Sequence, residues 1–208
     1  MTNFSKISIT FSLFLAVSFT SCKNNEKNIS EENTVENVLL EENNPTTDDL
    51  NSMVDDPENE GEKMLLGLVN QEGFKDQSHF PWMYEEFESY KPNPTKLQEI
   101  KTLIDGVTLK VFMGTWCEDS QREIPRLYKI LHTIDYNLSS MEIAAVSHDK
   151  ETPSGLEKGY DLEYVPTIIF LKNGKELNRI VEYTQGDTLE DDFITILKGE
   201  PYTPAYSE

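Results

Sequence analysis

The most constraining feature of this 208-residue sequence is an alternation of two apolar periodicities between residues 95 and 199. Apolar residues recurring every three or four positions predict amphipathic helices, whereas short unbroken apolar runs predict buried strands. The predicted elements are, in order, a helix over 95–104, a strand over 108–114, a helix after 117, strands over 141–146 and 167–171, a hairpin strand over 175–183, and a helix from 187 or 188. Parallel strands joined through helices and followed by an antiparallel hairpin predict an α/β fold with a mixed sheet covered on both faces.

The chain before this region begins with two segments of contrasting composition. Residues 1–21 combine Lys6 with a short apolar run, which is typical of a signal peptide and too short for a stable membrane-spanning helix. Residues 23–60 then contain twelve Asp or Glu against two Lys and no aromatic residue. Such a stretch buries too little apolar surface to offset its ordering entropy, so residues 22–60 are predicted to form a disordered acidic tether.

Residues 61–94 differ again, because they are rich in apolar and aromatic side chains. Leu65, Leu68 and Val69 have helical spacing, and residues 74–90 contain six aromatic residues. We interpret 61–94 as a helical and aromatic extension that packs on the domain formed by 95–199, with 200–208 as a tail.

The apolar run of the leader ends in "FTSC", at Cys22. Small residues before a cysteine and a polar stretch after it resemble the lipobox of bacterial lipoproteins, although Phe19 stands where that motif usually has Leu. The resemblance implies that Cys22 carries lipid and anchors the protein to a membrane outside the cytoplasm, in the periplasm or at the cell surface. The alternative is an ordinary cleaved signal peptide with an incidental cysteine.

The formal net charge of −20 argues against binding to nucleic acid, whose phosphates would repel the chain. His79, His132 and His148 lie in unrelated segments without a Cys or His at metal-ligand spacing, so no metal site is expected. The sequence also has no phosphate-binding loop or dinucleotide fingerprint, and we expect no cofactor.

Three motifs between residues 95 and 199 resemble the thioredoxin superfamily. "GTWCEDS" stands where that family has Trp-Cys-x-x-Cys, and Pro125 matches the proline in the family's active-site helix. "YVPTIIFLKNGKE" matches the segment that holds the family's cis-proline, which falls on Pro166. The resemblance implies a thioredoxin-like mixed sheet flanked by helices. Two positions depart from the family: Ser120 replaces the second cysteine, and Val111 stands where a buried acidic residue is common.

These departures predict a monothiol chemistry for Cys117. The N-terminus of a helix favours the thiolate, and the hydroxyl of Ser120 is placed one turn on to donate to it, whereas Glu118 and Asp119 oppose the negative charge. A thiolate that attacks a disulfide forms a mixed disulfide, which Ser120 cannot resolve. Cys117 and Ser120 are therefore the candidate catalytic residues of a thiol–disulfide reductase or isomerase.

The same resemblance places a substrate-binding surface around Trp116, Val165 and Pro166, where an extended substrate would pair with the Val165 backbone. The expected partners are protein or small-molecule thiols and disulfides, and the membrane through the lipid anchor. We expect the protein to be a monomer. The alternative function is a non-catalytic, chaperone-like binding module that uses Trp116 and Pro166 without turnover.

Overall fold

A computed structural model describes residues 49–207 of the chain. The predicted signal peptide, the lipidation site at Cys22 and the first part of the tether lie outside the described residues. Among residues 49–207 no helix is both long and apolar enough to cross a membrane. The strands and helices are β1 Met53–Asp55, β2 Lys63–Leu65, β3 Gly67–Val69, α1 Pro81–Ser89, α2 Pro94–Leu103, β4 Val107–Met113, α3 Glu118–Thr133, β5 Met141–Ala145, β6 Thr167–Lys172, β7 Lys175–Val181 and α4 Leu189–Lys198.

Five of the strands form one mixed sheet in the order β3-β5-β4-β6-β7. β4 pairs with β5 in parallel and with β6 antiparallel, so that Val111 lies between Ile143 and Ile168. β7 is joined to β6 by the tight turn at Asn173 and Gly174, both of which have positive φ. The α/β fold class, the order of elements from α2 to α4 and the thioredoxin-like mixed sheet predicted from the sequence are confirmed.

The two faces of the sheet are covered differently. Alternate residues of β4 point to opposite faces, and the odd-numbered ones, including Val111 at the centre, pack with the buried side chains of all four helices. The even-numbered Phe112 packs instead with Ala144, Ile169 and side chains from the irregular segment 147–164. The second face of the sheet is thus covered by this irregular segment instead of a helix. The segment is followed by Val165 and Pro166, which precede β6.

The extension before α2 is tied to the domain by polar contacts as well as by packing. α1 packs against α3, and Arg126 of α3 forms an ion pair of 2.6 Å with Glu86 of α1. Glu190 of α4 is buried and accepts hydrogen bonds from the hydroxyl of Tyr90 and, at 2.8 Å, from the backbone N–H of Asn93. These contacts connect the segment between α1 and α2 with the first turn of α4.

The structure corrects two predictions for the N-terminal segments. Leu65, Leu68 and Val69 were expected on a helix, but they lie on strands β2 and β3 because Gly67, at φ 91°, breaks the run and lets β3 pair with the edge strand β5. The predicted tether extended to residue 60, whereas β1 and the following turn belong to an ordered hairpin with β2. The domain therefore begins earlier than the sequence pattern indicated, and β3 of the extension is a strand of the main sheet.

Candidate functional site

The candidate site lies at the carboxyl end of β4, where the chain turns into α3. Gly114 begins this turn, and a Cβ atom added there would lie 2.5 Å from the ring of Trp116, so a larger residue would displace the indole. Thr115 is buried, and its hydroxyl oxygen accepts a hydrogen bond of 3.2 Å from the backbone N–H of Leu65. The turn is thus fixed at its start by β4 and at Thr115 by its hydrogen bond to β2.

Cys117 is the N-cap residue of α3, with extended backbone dihedrals and no hydrogen bond from its side chain to the helix. Its thiol is free and half-buried, and it donates a hydrogen bond of 3.1 Å to the carbonyl oxygen of Val165. The unpaired N–H groups and the dipole of a helix N-terminus stabilise an anion at this position. The structure therefore places a partly accessible sulfur at the N-terminus of a helix, facing the carbonyl oxygen of Val165.

The loop that faces this sulfur contains Val165 and Pro166, and the peptide bond between them is cis, as the resemblance implied. Val165 is buried, and within residues 49–207 its N–H has no hydrogen-bond partner. The carbonyl oxygen of Pro166 accepts a hydrogen bond of 2.7 Å from the N–H of Glu182, which fixes the loop to the end of β7. Cys117, Val165 and Pro166 are brought together, as the sequence prediction required.

Ser120 lies one turn into α3 and is fully buried. Its hydroxyl oxygen accepts a hydrogen bond of 3.2 Å from the backbone N–H of Gly114. The described hydrogen bond of Ser120 is thus with the turn rather than with the sulfur of Cys117. The contribution of its hydroxyl to catalysis stays a prediction, and its structural contribution is to close the turn.

Trp116 is half-buried, and Nζ of Lys150 lies 5.8 Å from the centroid of its ring. The indole N–H donates to the carbonyl oxygen of Val146 at 3.0 Å, and the ring stacks on His148 with a centroid distance of 4.2 Å and an interplanar angle of 22°. His148 is therefore a neighbour of the site, although the sequence pattern did not single it out as a site residue. Its place directly after the apolar run 141–146, at the carboxyl end of a strand parallel to β4, was the available signal.

The acidic residues of the first turn of α3 are not equivalent. Glu118 is exposed, whereas Asp119 forms an ion pair of 2.6 Å with Arg122. Glu123 is buried, and one of its carboxylate oxygens accepts from Arg122 at 2.8 Å while the other has no partner among the described residues. Burial raises the pKa of Glu123 even though Arg122 and Arg126 lower it in part.

No group of three metal-binding side chains is present in the described part of the chain.

A cluster of three exposed tyrosines borders the Val165 loop. Tyr164, which precedes Val165, stacks on Tyr206 of the C-terminal tail at 4.1 Å, and Tyr183 meets Tyr206 edge-on at 6.0 Å. The hydroxyl of Tyr206 donates to the carboxylate of Glu182. The tail over residues 200–207 thus extends the site with an aromatic surface that was not predicted.

Comparison with known proteins finds a family, a related sequence and solved structures that resemble parts of this chain. The sequence profile of the family named Thioredoxin matches residues 96–195. Thioredoxin from Chlamydia caviae is 31% identical over 84 residues, which cover 40% of this chain and 76% of that protein. Among solved structures, a Pseudomonas aeruginosa protein of unknown function is 20% identical over 59% of this chain and 82% of its own, with a TM-score of 0.43. Thioredoxin from Fasciola hepatica is 22% identical over 41% of this chain and 77% of its own, with a TM-score of 0.28.

Proposed function

Because the chain belongs to the thioredoxin family, we propose that it is a thiol–disulfide oxidoreductase that acts through the single thiol of Cys117. The observation that carries the proposal is the position of this sulfur. It is half-exposed at the N-terminus of α3, and it lies 3.1 Å from the carbonyl oxygen of Val165, next to Pro166. This arrangement combines a partly accessible thiol at a helix N-terminus with a backbone edge that a substrate can contact.

The proposed reaction begins when the Cys117 thiolate attacks one sulfur of a substrate disulfide. The S–S bond of the substrate breaks, one of its sulfurs leaves as a thiolate, and the other forms a mixed disulfide with Cys117. A second thiol must then attack the Cys117 sulfur or the substrate sulfur, because Ser120 offers no thiol. If the second thiol belongs to the substrate and attacks the substrate sulfur, that substrate is isomerised or re-oxidised. If external thiols act, the substrate is reduced and the external thiols become a disulfide.

The backbone of Val165 is the proposed docking point for the substrate. In the resting site its carbonyl oxygen accepts the Cys117 thiol proton, while its N–H is unpartnered within residues 49–207. Once Cys117 is in a mixed disulfide it has no S–H to donate, so the Val165 carbonyl becomes available to a substrate N–H. An extended peptide can then pair with both groups of Val165, as in strand addition.

We further propose that the protein acts outside the cytoplasm, anchored to a membrane by lipid on Cys22. The support is the lipobox-like end of the apolar leader and the compartment that it implies, in which disulfide substrates persist. Metabolic labelling with a fatty-acid probe tests this proposal. The native chain is expected to be labelled and to fractionate with membranes, whereas Cys22→Ala is expected to lose both properties. Equal labelling of the two chains would contradict lipidation at Cys22.

The tyrosine cluster favours one second candidate function, a binding module that holds extended polypeptides without turnover. Tyr164, Tyr183 and Tyr206 expose aromatic surface directly beside the Val165 loop. Aromatic side chains supply large contact area to such partners.

Trapping of partners in cells by acid quenching separates the two functions. An oxidoreductase is expected to yield disulfide-linked partners that disappear in Cys117→Ala. A binding module is expected to retain the same partners non-covalently in Cys117→Ala. If partners are captured only when Cys117 is present, the redox function is supported. If the same partners are captured with and without Cys117, the binding module is supported.

A further inference from the structure

The β1–β2 hairpin, formed by residues 53–65, lies before the region that matches the family profile, yet it contacts the candidate site. Leu65 is fully buried, and its N–H donates to the Thr115 hydroxyl oxygen within the turn that carries Cys117. A second contact is made from the turn after β1, by Asp56. The hairpin thus contacts the turn that carries Cys117 directly, through Leu65, and reaches its neighbourhood a second time through Asp56.

Asp56 is buried, with 6% of its surface exposed, and it accepts three hydrogen bonds. They come from the backbone N–H of Glu58 at 2.9 Å, the side-chain amide of Asn59 at 3.0 Å and Nε2 of His148 at 2.9 Å. A carboxylate can only accept, so Nε2 of His148 carries the proton in this contact. Burial raises the pKa of Asp56, but these hydrogen bonds and the proximity of His148 together lower it below its ordinary value, which keeps the carboxylate ionised.

His148 transmits this contact to Trp116. One edge of the imidazole is bound to Asp56, and one face stacks on the indole at 4.2 Å. The Trp116 ring is also bound through its N–H to Val146, and Gly114 leaves the room that the ring occupies. Asp56, His148 and Trp116 therefore form a continuous chain of contacts from the hairpin to the residue beside Cys117.

We propose that Asp56 and His148 are positioning residues that hold Trp116 as a fixed wall of the substrate groove next to Cys117. This inference rests on the proposed function, because it concerns how the same site receives a disulfide substrate. Neither residue touches the sulfur in the described contacts, so their effect passes through the indole. The predicted consequence is a change in substrate binding with an unchanged reactivity of the thiol.

The position of Trp116 can be followed by its own fluorescence in full-length protein. The chain has two tryptophans, so Trp82→Phe leaves Trp116 as the single reporter. In this background His148→Ala is expected to raise quenching of Trp116 by acrylamide, since loss of the stack increases the open population about fivefold. His148→Phe keeps an aromatic platform and is expected to restore most of the protection. His132→Ala is the matched control, because His132 contacts Gln71 and Tyr128 at the far end of α3 and is expected to change nothing.

Kinetics in the native background separate this inference from the proposed function. His148→Ala is expected to raise KM for a disulfide-bonded peptide by up to about fivefold, while the alkylation rate of Cys117 by iodoacetamide stays within about twofold of the native rate. If the native protein does not turn over disulfides, the proposed function fails, but the fluorescence experiment still tests the positioning of Trp116. If His148→Ala leaves both the quenching of Trp116 and KM unchanged, the positioning inference is overturned.

Asp56→Ala provides a second variant in case His148→Ala does not fold. It removes the carboxylate bound to Nε2 of His148 and keeps both the imidazole and the indole, while Glu58 still lies 3.4 Å from Nδ1. The expected result is increased quenching of Trp116, smaller than in His148→Ala. Asp56→Asn is expected to be close to native, since the amide oxygen still accepts from Nε2. Native-like quenching in a folded Asp56→Ala would overturn the role assigned to Asp56.

Discussion

The hydroxyl oxygen of Ser120 accepts a hydrogen bond of 3.2 Å from the backbone N–H of Gly114, inside the turn that presents Cys117. Ser120 occupies the position of the second cysteine in a Cys-x-x-Cys site, and it is fully buried there. A serine at this position closes the turn but cannot displace a substrate from the Cys117 sulfur. Under the proposed function, a mixed disulfide at Cys117 would therefore depend on a second thiol for its release.

Ser120→Cys is expected to restore an intramolecular route of release. A thiol at position 120 would act at an effective concentration of order millimolar or more, so a mixed disulfide at Cys117 should be released at least about tenfold faster than in the native protein. The measurement is the decay of a purified mixed disulfide with a model peptide, followed by intact mass. Oxidised Ser120→Cys should also resist alkylation at residue 117.

Ser120→Ala is the matched control for this variant. It should leave the lifetime of the mixed disulfide unchanged, and it should lower the free energy of unfolding by about 1 kcal/mol because the Gly114 N–H loses its acceptor. A Ser120→Cys protein that releases the peptide no faster than the native protein would contradict the account of this position.

Much of the fold follows from the local pattern of the sequence, and the exceptions have physical causes. The strands β4, β5 and β6 are largely buried and read as short, mainly apolar runs, and α3 carries a regular apolar stripe. By contrast, Leu65, Leu68 and Val69 have the spacing of a helix, but β2 pairs with β1 in a hairpin and β3 pairs with the distant strand β5. Local spacing does not encode such pairing.

The candidate site shows the same division between local and distant signals. Cys117 and Pro166 stand in recognisable motifs, and their proximity follows from the fold that those motifs indicate. Asp56 and His148 are 92 residues apart, and neither stands in a motif. Their contact depends on where the hairpin docks, which no sequence pattern in a single chain specifies. Asp56 was consequently assigned to a disordered tether.

Glu123→Met is expected to stabilise the protein near pH 7, because the buried carboxylate has one oxygen without a partner among the described residues. Replacement of a buried charged group by an apolar one of similar size is commonly neutral or stabilising, here by about 1 kcal/mol. Arg126 retains Glu86 as an ion-pair partner in the variant. The free energy of unfolding in urea provides the measurement.

The advantage of Glu123→Met should depend on pH. Burial raises the folded-state pKa of Glu123 above its ordinary value of 4.5, so the native protein regains stability relative to the variant as the pH falls through the folded-state pKa towards 4.5. The difference between the two proteins should therefore shrink between neutral pH and about pH 4. A difference that stays constant over this range, or that grows on acidification, would contradict the assignment of the raised pKa to Glu123.

Glu190→Ala is expected to destabilise the domain by about 3 kcal/mol, since Tyr90 and the N–H of Asn93 would both lose a buried acceptor. The urea midpoint reports the loss. Asp187→Ala, at an exposed position just before α4, is the control and should change stability little. Glu190→Gln retains one acceptor oxygen and should fall between the native protein and Glu190→Ala. If Glu190→Ala loses no more stability than the control, the hydrogen bonds of Glu190 contribute little to the free energy of unfolding.

The most direct test of the central claim is the reaction of Cys117 with a disulfide. A full-length chain with Cys22→Ser has Cys117 as its only thiol, and incubation with oxidised glutathione followed by intact mass spectrometry shows whether an adduct forms. One glutathione per chain is expected at Cys117, as an adduct that persists until an external thiol is added, and none is expected in a chain that also carries Cys117→Ala. A native Cys117 that forms no adduct while the protein remains folded would contradict the central claim.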